Sequence, residues 1–161
     1  MTRPLPQTVK GDSASERLQA LGLKLPVLAG TTYLVPHRTE SSTIHLSGQL
    51  PFKDGELPGQ GVVGRDVDLE TAQEFARHAA LNALAAAVQA VGELDRVRIV
   101  QMLVFVACTP DFGEQSKVAN AASELLIEVL GENGRHARTA IGVAALPLNA
   151  PVEIQVICTA V

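Results

Sequence analysis

The pattern of apolar and polar positions along the chain predicts a series of helices and strands that can form one sheet. Apolar residues at steps of three and four indicate helices, and strict alternation indicates half-buried strands. By these rules the order is helix, two strands, helix, strand, helix, two strands. This order predicts an α+β fold with helices packed on one face of a mixed β-sheet.

The helices are predicted from their caps as well as from their periodicity. Ser13–Glu16 is a capping-box pattern that begins a short helix ending near Leu21, before Gly22. The longest predicted helix runs from Leu69 to about Val91, and a third is clearest from Lys117 to Leu130. The longest carries a stripe of small residues that would let it lie close to a sheet. These are Ala72, Ala76, Ala79, Ala83, Ala87 and Ala90, between an Asp68 cap and Gly92.

The strand predictions end in an apparent hairpin. Strands are expected at 33–38 and 43–49, and the apolar run 98–108 is typical of a central strand covered on both faces. The last two strands flank Pro147–Pro151, which has the composition of a tight turn.

Two charged residues interrupt this apolar C-terminal pair, Arg138 and Glu153. Burying a charge is costly unless it is paired or used. Arg138 therefore either binds a carboxylate ligand bidentately or forms a structural salt bridge with an acid such as Glu153. In a hairpin centred near Asn149 the two would be offset by about seven residues, roughly 23 Å. They would then meet within one subunit only through a longer or bulged connection, or between subunits that pack sheet edge to sheet edge and share a site.

Composition and charge exclude several classes of function. The 161 residues fit one domain, with residues 1–30 expected as an N-terminal arm and short helix and 31–161 as the single folded domain. A net charge of −4 and 3% aromatic residues argue against nucleic-acid binding. The N-terminus has no apolar signal region, no apolar run is long enough to span a membrane, and Cys108 and Cys158 lie in strand-like runs. A reduced, cytoplasmic protein is expected.

The histidines and the glycine-rich loop give no sign of a cofactor. His37, His45, His78 and His136 lack metal-ligand spacing, and His136, although on the strand face of Arg138, is most simply polar surface. The glycines of 51–64 do not open a helix in the manner of a nucleotide-binding loop. Neither a metal nor an organic cofactor is expected.

Four segments together resemble a known family, the RidA/YjgF-like reactive intermediate deaminases, also known as endoribonuclease L-PSP. The resemblance covers about residues 33–161 and is carried by Thr43–Pro51, Val118–Asn120, Arg138–Val143 and Leu146–Ile154. It implies a chorismate-mutase-like fold and a homotrimer with sites in the clefts between subunits. It also implies hydrolysis of 2-imino or enamino acids to 2-oxo acids and ammonia.

The resemblance also implies roles for individual residues. Arg138 would grip the substrate carboxylate, Ser47 and Gly48 would contribute hydroxyl and backbone contacts, and Glu153 would position or activate water. Two further substrate contacts are implied at Tyr33 and Asn120.

The chain departs from the family at Ala140, where many members carry a cysteine, and in the added residues 1–30. A trimer that binds a small carboxylate without turnover is therefore the alternative, and a ribonuclease is a third.

Overall fold

The computed structural model describes residues 11–28, 37–38 and 43–161, and the element order within these ranges is the predicted one. The helices are α1 (Ala14–Ala20), α2 (Leu69–Val91) and α3 (Gln115–Leu130). The strands are β1 (His37–Arg38), β2 (Ile44–His45), β3 (Val97–Ala107), β4 (Ala137–Val143) and β5 (Val152–Ala160). Tyr33 lies outside the described residues.

The helix ends confirm the capping predictions. Ser13 Oγ accepts a hydrogen bond from the backbone N–H of Glu16, whose side chain returns to the backbone of Ser13. Asp68 accepts from the N–H of Thr71 at 2.8 Å, and Gly92, with φ 105°, ends α2. These side chains satisfy backbone groups that a helix end would otherwise leave unpaired.

The sheet order is β1-β2-β5-β3-β4, and this order overturns the predicted hairpin. β4 pairs in parallel with β3, whereas β5 pairs antiparallel with the other edge of β3 and with β2. β4 and β5 are therefore separated by β3. The physical reason is the connection through α3: a strand reached through a crossover helix lies parallel to the one before it. This leaves the opposite side of β3 for β5.

β3 is an interior strand, as predicted, but the helices among the described residues cover only one of its faces. Ile99, Met102, Val104 and Val106 are buried beneath the helices, whereas alternate residues such as Leu103 and Phe105 are half-buried. β5 repeats this pattern, with Val152, Ile154, Val156 and Cys158 buried. The described part of a single chain therefore does not provide the expected cover on both faces, because its helices pack on one side of the sheet.

The alanine stripe of α2 fits this arrangement. Ala72, Ala76, Ala79, Ala83 and Ala87 are fully buried against the sheet and α3. On the same helix the buried Asn82 donates from Nδ2 to the carbonyls of Leu50 and Phe52, each at 2.9 Å. The loop after β2 is thereby fixed to the helix layer, which positions the preceding segment, Ser47–Gln49.

α1 packs on the core rather than standing apart from it. Leu18 is buried, and Asp95 accepts hydrogen bonds from the backbone N–H groups of Ala14 and Ser15 and from the Ser15 hydroxyl. A cavity of about 270 Å³ lies at this junction, beside Asp12, Arg17 and Asn133. Within the described ranges, the helices are all too short or too polar to cross a bilayer.

Candidate functional site

Arg138 lies on the edge strand β4, and its guanidinium reaches over the sheet edge to α3. Nη1 donates to Asn120 Oδ1 at 2.9 Å and to Ser123 Oγ at 3.1 Å. Asn120 and Ser123 are three residues apart and therefore share one face of the helix. Both partners are uncharged, and no carboxylate among the residues described forms an ion pair with Arg138. Its positive charge remains available to an anion.

His136, on the same strand face as Arg138, belongs to the same cluster. It is half-buried, with Nε2 3.1 Å from Ser123 Oγ and Nδ1 2.6 Å from the carbonyl of Gly134. Burial, and to a lesser extent the charge of Arg138, lowers the pKa of the imidazole. The expectation of a polar surface residue was wrong because the turn that precedes β4 folds the ring in against α3.

Glu153 lies in β5 between two residues that face the helices, Val152 and Ile154, so its own side chain points to the uncovered face. Gln49 bridges to Ile154, with reciprocal backbone hydrogen bonds of 2.8 and 2.9 Å, which brings Gly48 beside Glu153. The half-buried position raises the pKa of the Glu153 carboxyl, because desolvation disfavours its charged form. A carboxyl with a raised pKa binds a proton more readily than a solvated glutamate does, which suits it to proton transfer.

Gly48 makes the position of Glu153 possible. A Cβ placed on Gly48 would overlap Oε1 of Glu153 and contact its Cδ and Cγ. The carboxylate therefore occupies the space that any other residue at position 48 would fill. Ser47 is half-buried beside it, and its carbonyl accepts from Gln49 Nε2 at 3.2 Å.

Substituting Gly48 with alanine is expected to displace the Glu153 carboxylate while leaving the fold intact. We expect turnover by the site to fall by about 10- to 100-fold, since small displacements of catalytic groups have effects of this size. The matched control is Gly113→Ala, where a Cβ meets no atom within 4 Å. Thermal melts of both variants separate loss of position from loss of stability. Equal activity of the two variants would contradict the assigned role of Gly48.

One chain does not bring Arg138 and Glu153 together. Arg138 is in register with Met102 and Glu153 with Phe105, on the two sides of β3. Strand spacing and rise place their Cα atoms roughly 10 Å apart across the sheet and roughly 10 Å apart along it. Their side chains also leave opposite faces, Arg138 towards α3 and Glu153 away from the helices. The salt-bridge interpretation is therefore wrong within a chain.

The predicted site residues thus form two groups. Asn120 and Arg138 lie together at the edge of the sheet, with Ser123 and His136 as additional members. Ser47, Gly48 and Glu153 lie together on the uncovered face. In the described part of the chain, no cluster of three His, Cys, Asp or Glu side chains is arranged to hold a metal ion.

The fold agrees with comparisons to known proteins. Residues 15–159 match a family described as "YjgF/chorismate_mutase-like, putative endoribonuclease". The chain belongs to this family, and its mixed sheet with helices on one face is the family's fold.

Individual relatives extend over nearly the whole chain. Protein TCP17 of Trypanosoma cruzi is 44% identical over 151 residues, which is 91% of this chain and 93% of TCP17. Atu1372 from Agrobacterium tumefaciens is 43% identical in sequence, and the match covers 92% of this chain and 92% of Atu1372. Its crystal structure superposes on this chain with a TM-score of 0.84. TdcF from E. coli, solved with bound serine, is 26% identical over 81% of this chain and 90% of TdcF, with a TM-score of 0.56.

Proposed function

We propose that the protein hydrolyses small 2-imino or enamino acids to 2-oxo acids and ammonia, in clefts between the subunits of a homotrimer. The observation that carries this proposal is the guanidinium of Arg138, whose hydrogen-bond partners in the described part of the chain, Asn120 and Ser123, are both uncharged. A positioned, un-neutralised arginine is suited to a carboxylate. TdcF, a relative solved with serine, supports a ligand that carries a carboxylate next to a nitrogen-bearing carbon.

The separation of Arg138 and Glu153 supports a site shared between subunits. β4 is an edge strand with Ile141 44% exposed, and the sheet face that carries Glu153, Leu103 and Phe105 has no cover from the helices of its own chain. A second copy packed against this face would bring Arg138 of one subunit towards Glu153 of its neighbour. A closed ring of such contacts gives one site per interface, which for a trimer is three.

The proposed reaction needs water and a proton carrier. Arg138 fixes the substrate carboxylate, which orients the adjacent C=N carbon for attack, and Asn120 supports the guanidinium. An enamino acid first tautomerises to the imino acid. Glu153 takes a proton from the attacking water as the C–O bond forms and passes it to the nitrogen, which gives a tetrahedral carbinolamine. Glu153 then takes the proton of the new hydroxyl as the C=O bond forms and gives it to the amino nitrogen, which leaves as ammonia as the C–N bond breaks. Water oxygen replaces nitrogen at the carbon, so the products are a 2-oxo acid and ammonia. No change of oxidation state occurs, and we propose no metal or organic cofactor.

Binding without turnover is the second candidate function. Ala140 stands where the family resemblance implies a cysteine in many members, and it is partly buried against the hydrophobic core. A ribonuclease activity, which the family description includes, is disfavoured by the net charge of −4. We expect no RNA cleavage by protein freed of contaminating nucleases.

The direct test generates imino acids with an excess of amino-acid oxidase, in the presence of catalase, so that hydrolysis limits the appearance of 2-oxo acid. We expect the protein to raise the rate of 2-oxo acid release above the spontaneous rate, in proportion to its concentration. A rate that stays at the background, together with stabilisation of the protein by small carboxylates in thermal melts, would favour binding without turnover.

Mixing two inactive variants tests whether subunits share the site. If Arg138 and Glu153 come from neighbouring chains, refolding Arg138→Ala with Glu153→Gln in equal amounts leaves about one quarter of the sites with both native residues. We expect activity to recover to about that fraction of the parent. The control is each variant refolded alone. Mixtures as inactive as the single variants would place both residues of a site on one chain.

A further inference from the structure

A chain of hydrogen bonds runs from the backbone before β4 to the guanidinium of Arg138. The carbonyl of Gly134 lies 2.6 Å from His136 Nδ1, and His136 Nε2 lies 3.1 Å from Ser123 Oγ. Ser123 Oγ then accepts from Arg138 Nη1 at 3.1 Å. His136 and Ser123 are both half-buried, and neither has a part in the reaction steps proposed above.

The chemistry of the partners determines which group donates and which group accepts in each of these hydrogen bonds. A carbonyl only accepts, so the Nδ1 of His136 must carry the proton that it shares with Gly134. Desolvation lowers the pKa of His136 and favours the neutral imidazole, whose Nε2 is then an acceptor. The Ser123 hydroxyl donates its proton to Nε2, which leaves its oxygen lone pairs for Arg138. Each donor in the series therefore meets an acceptor.

The same series of hydrogen bonds determines which edge of the guanidinium is free. Nη1 has two N–H groups, and Asn120 and Ser123 accept one each. Nε and Nη2 have no hydrogen-bond partner among residues 11–28 and 43–161. The Nε–Nη2 edge carries two parallel N–H groups, the arrangement that binds a carboxylate bidentately.

We propose that Ser123 and His136 are positioning residues, which hold Nη1 of Arg138 so that its Nε–Nη2 edge is presented to the carboxylate of the ligand. The ligand in this statement rests on the proposed function, whereas the orientation of Arg138 stands without it. Asn120 alone would leave one Nη1 proton free and the guanidinium able to turn about its bond to Nε. Ser123, held in turn by His136, supplies the second fixed point.

The orientation is tested by NMR of ¹⁵N-labelled protein without any ligand. The parent is expected to show separate, slowly averaging Nη signals for Arg138, and ring nitrogen shifts of His136 typical of the Nδ1–H tautomer. In Ser123→Ala and in His136→Leu the Nη signals should average. In His136→Gln, whose amide oxygen can accept from Ser123, they should stay separate. Ser116→Ala, at an exposed position of the same helix, is the matched control.

Ligand binding supplies the second measurement. With pyruvate and with L-serine as probes, loss of one fixed point should raise the dissociation constant by about 5- to 10-fold in Ser123→Ala and His136→Leu, the effect of one net hydrogen bond. His136→Gln and Ser116→Ala should bind within about twofold of the parent. If His136 had only a structural role, its replacement would lower the melting temperature. The dissociation constants would then not show loss in His136→Leu and rescue in His136→Gln.

The outcomes separate the two proposals. Averaged Nη signals in the parent, the Nε2–H tautomer of His136, or Nη signals unchanged in Ser123→Ala would each overturn the positioning role. The proposed function would survive those results if the parent still hydrolysed imino acids. Conversely, fixed Nη signals that average in Ser123→Ala, in a protein without turnover, would support the positioning role and overturn the deaminase.

Discussion

Replacing Arg138 with alanine is expected to lower kcat/KM for imino acid hydrolysis by about 30- to 5,000-fold, which corresponds to about 2–5 kcal/mol for the loss of one member of a hydrogen-bonded charge pair. The effect is large because Arg138 is the cation that Asn120 and Ser123 hold in position for the carboxylate. KM should rise, since the lost contact is already made with the bound substrate.

The matched control for Arg138 is Arg135→Ala. Arg135 lies three residues away and pairs with the exposed Glu132 at 2.9 Å, a surface contact of small energetic value. It should leave kcat/KM within about twofold of the parent. Steady-state kinetics of both variants measure this difference, and their melting temperatures show whether either variant is destabilised. An Arg138→Ala variant as fast as Arg135→Ala would remove the arginine from the mechanism.

Replacing Glu153 with glutamine should lower kcat by about 100- to 10,000-fold, the usual contribution of a general acid–base group. Glutamine keeps the shape beside Gly48 but cannot carry the proton from water to nitrogen. KM should change little, because the carboxylate of the substrate is bound by Arg138. Glu93→Gln, at an exposed position before β3, is the control and should match the parent.

The raised pKa of Glu153 gives this prediction a pH signature. As the base that activates water, Glu153 must be ionised, so the rate of the parent should fall as the pH drops through a value above the pKa of an ordinary, solvated glutamate. The folded protein also binds this proton more tightly than the unfolded chain does. Ionised Glu153 therefore opposes folding above its folded pKa, and the opposition vanishes below the pKa that the residue has in the unfolded chain.

Glu153→Gln should consequently be as stable as the parent in acid and at least as stable at neutral pH. Urea denaturation across this range measures the difference. A variant that is both inactive and less stable at neutral pH would instead indicate that Glu153 holds the structure together.

Local signals in the sequence were sufficient to predict the helices and strands, but not to predict which strands pair with one another. Ser13, Asp68 and Gly92 marked helix ends correctly because a cap depends on residues within one turn. The hairpin of β4 and β5 was wrong because alternation identifies a strand without naming its partner. The connection through α3 would have indicated the pairing, since a crossover helix makes β4 parallel to β3. The opposite edge of β3 is then left for β5.

The charged residues of the candidate site could be predicted from the sequence. The residues that form hydrogen bonds around them could not. Arg138 and Glu153 were conspicuous as charges in apolar strands. Ser123 and His136 were not, because a serine on a helix and a histidine before a strand are ordinary on a surface. Asn120 and Ser123, as two polar residues three apart on one face of the helix, were an available signal. The contact of Gly48 with Glu153 depends on strand register, which no local pattern specifies.

The place of β5 in the sheet has a consequence for how the chain acquires its structure during synthesis. β3, α3 and β4 form a local unit that can fold as soon as residue 143 is available, whereas β2 joins the rest of the sheet through β5, which comes last among the strands. Until β5 inserts between β2 and β3, both have an open edge on which other chains can pair. The strand that closes the sheet also carries Glu153, so the sheet and the part of the candidate site around Glu153 are completed in the same step.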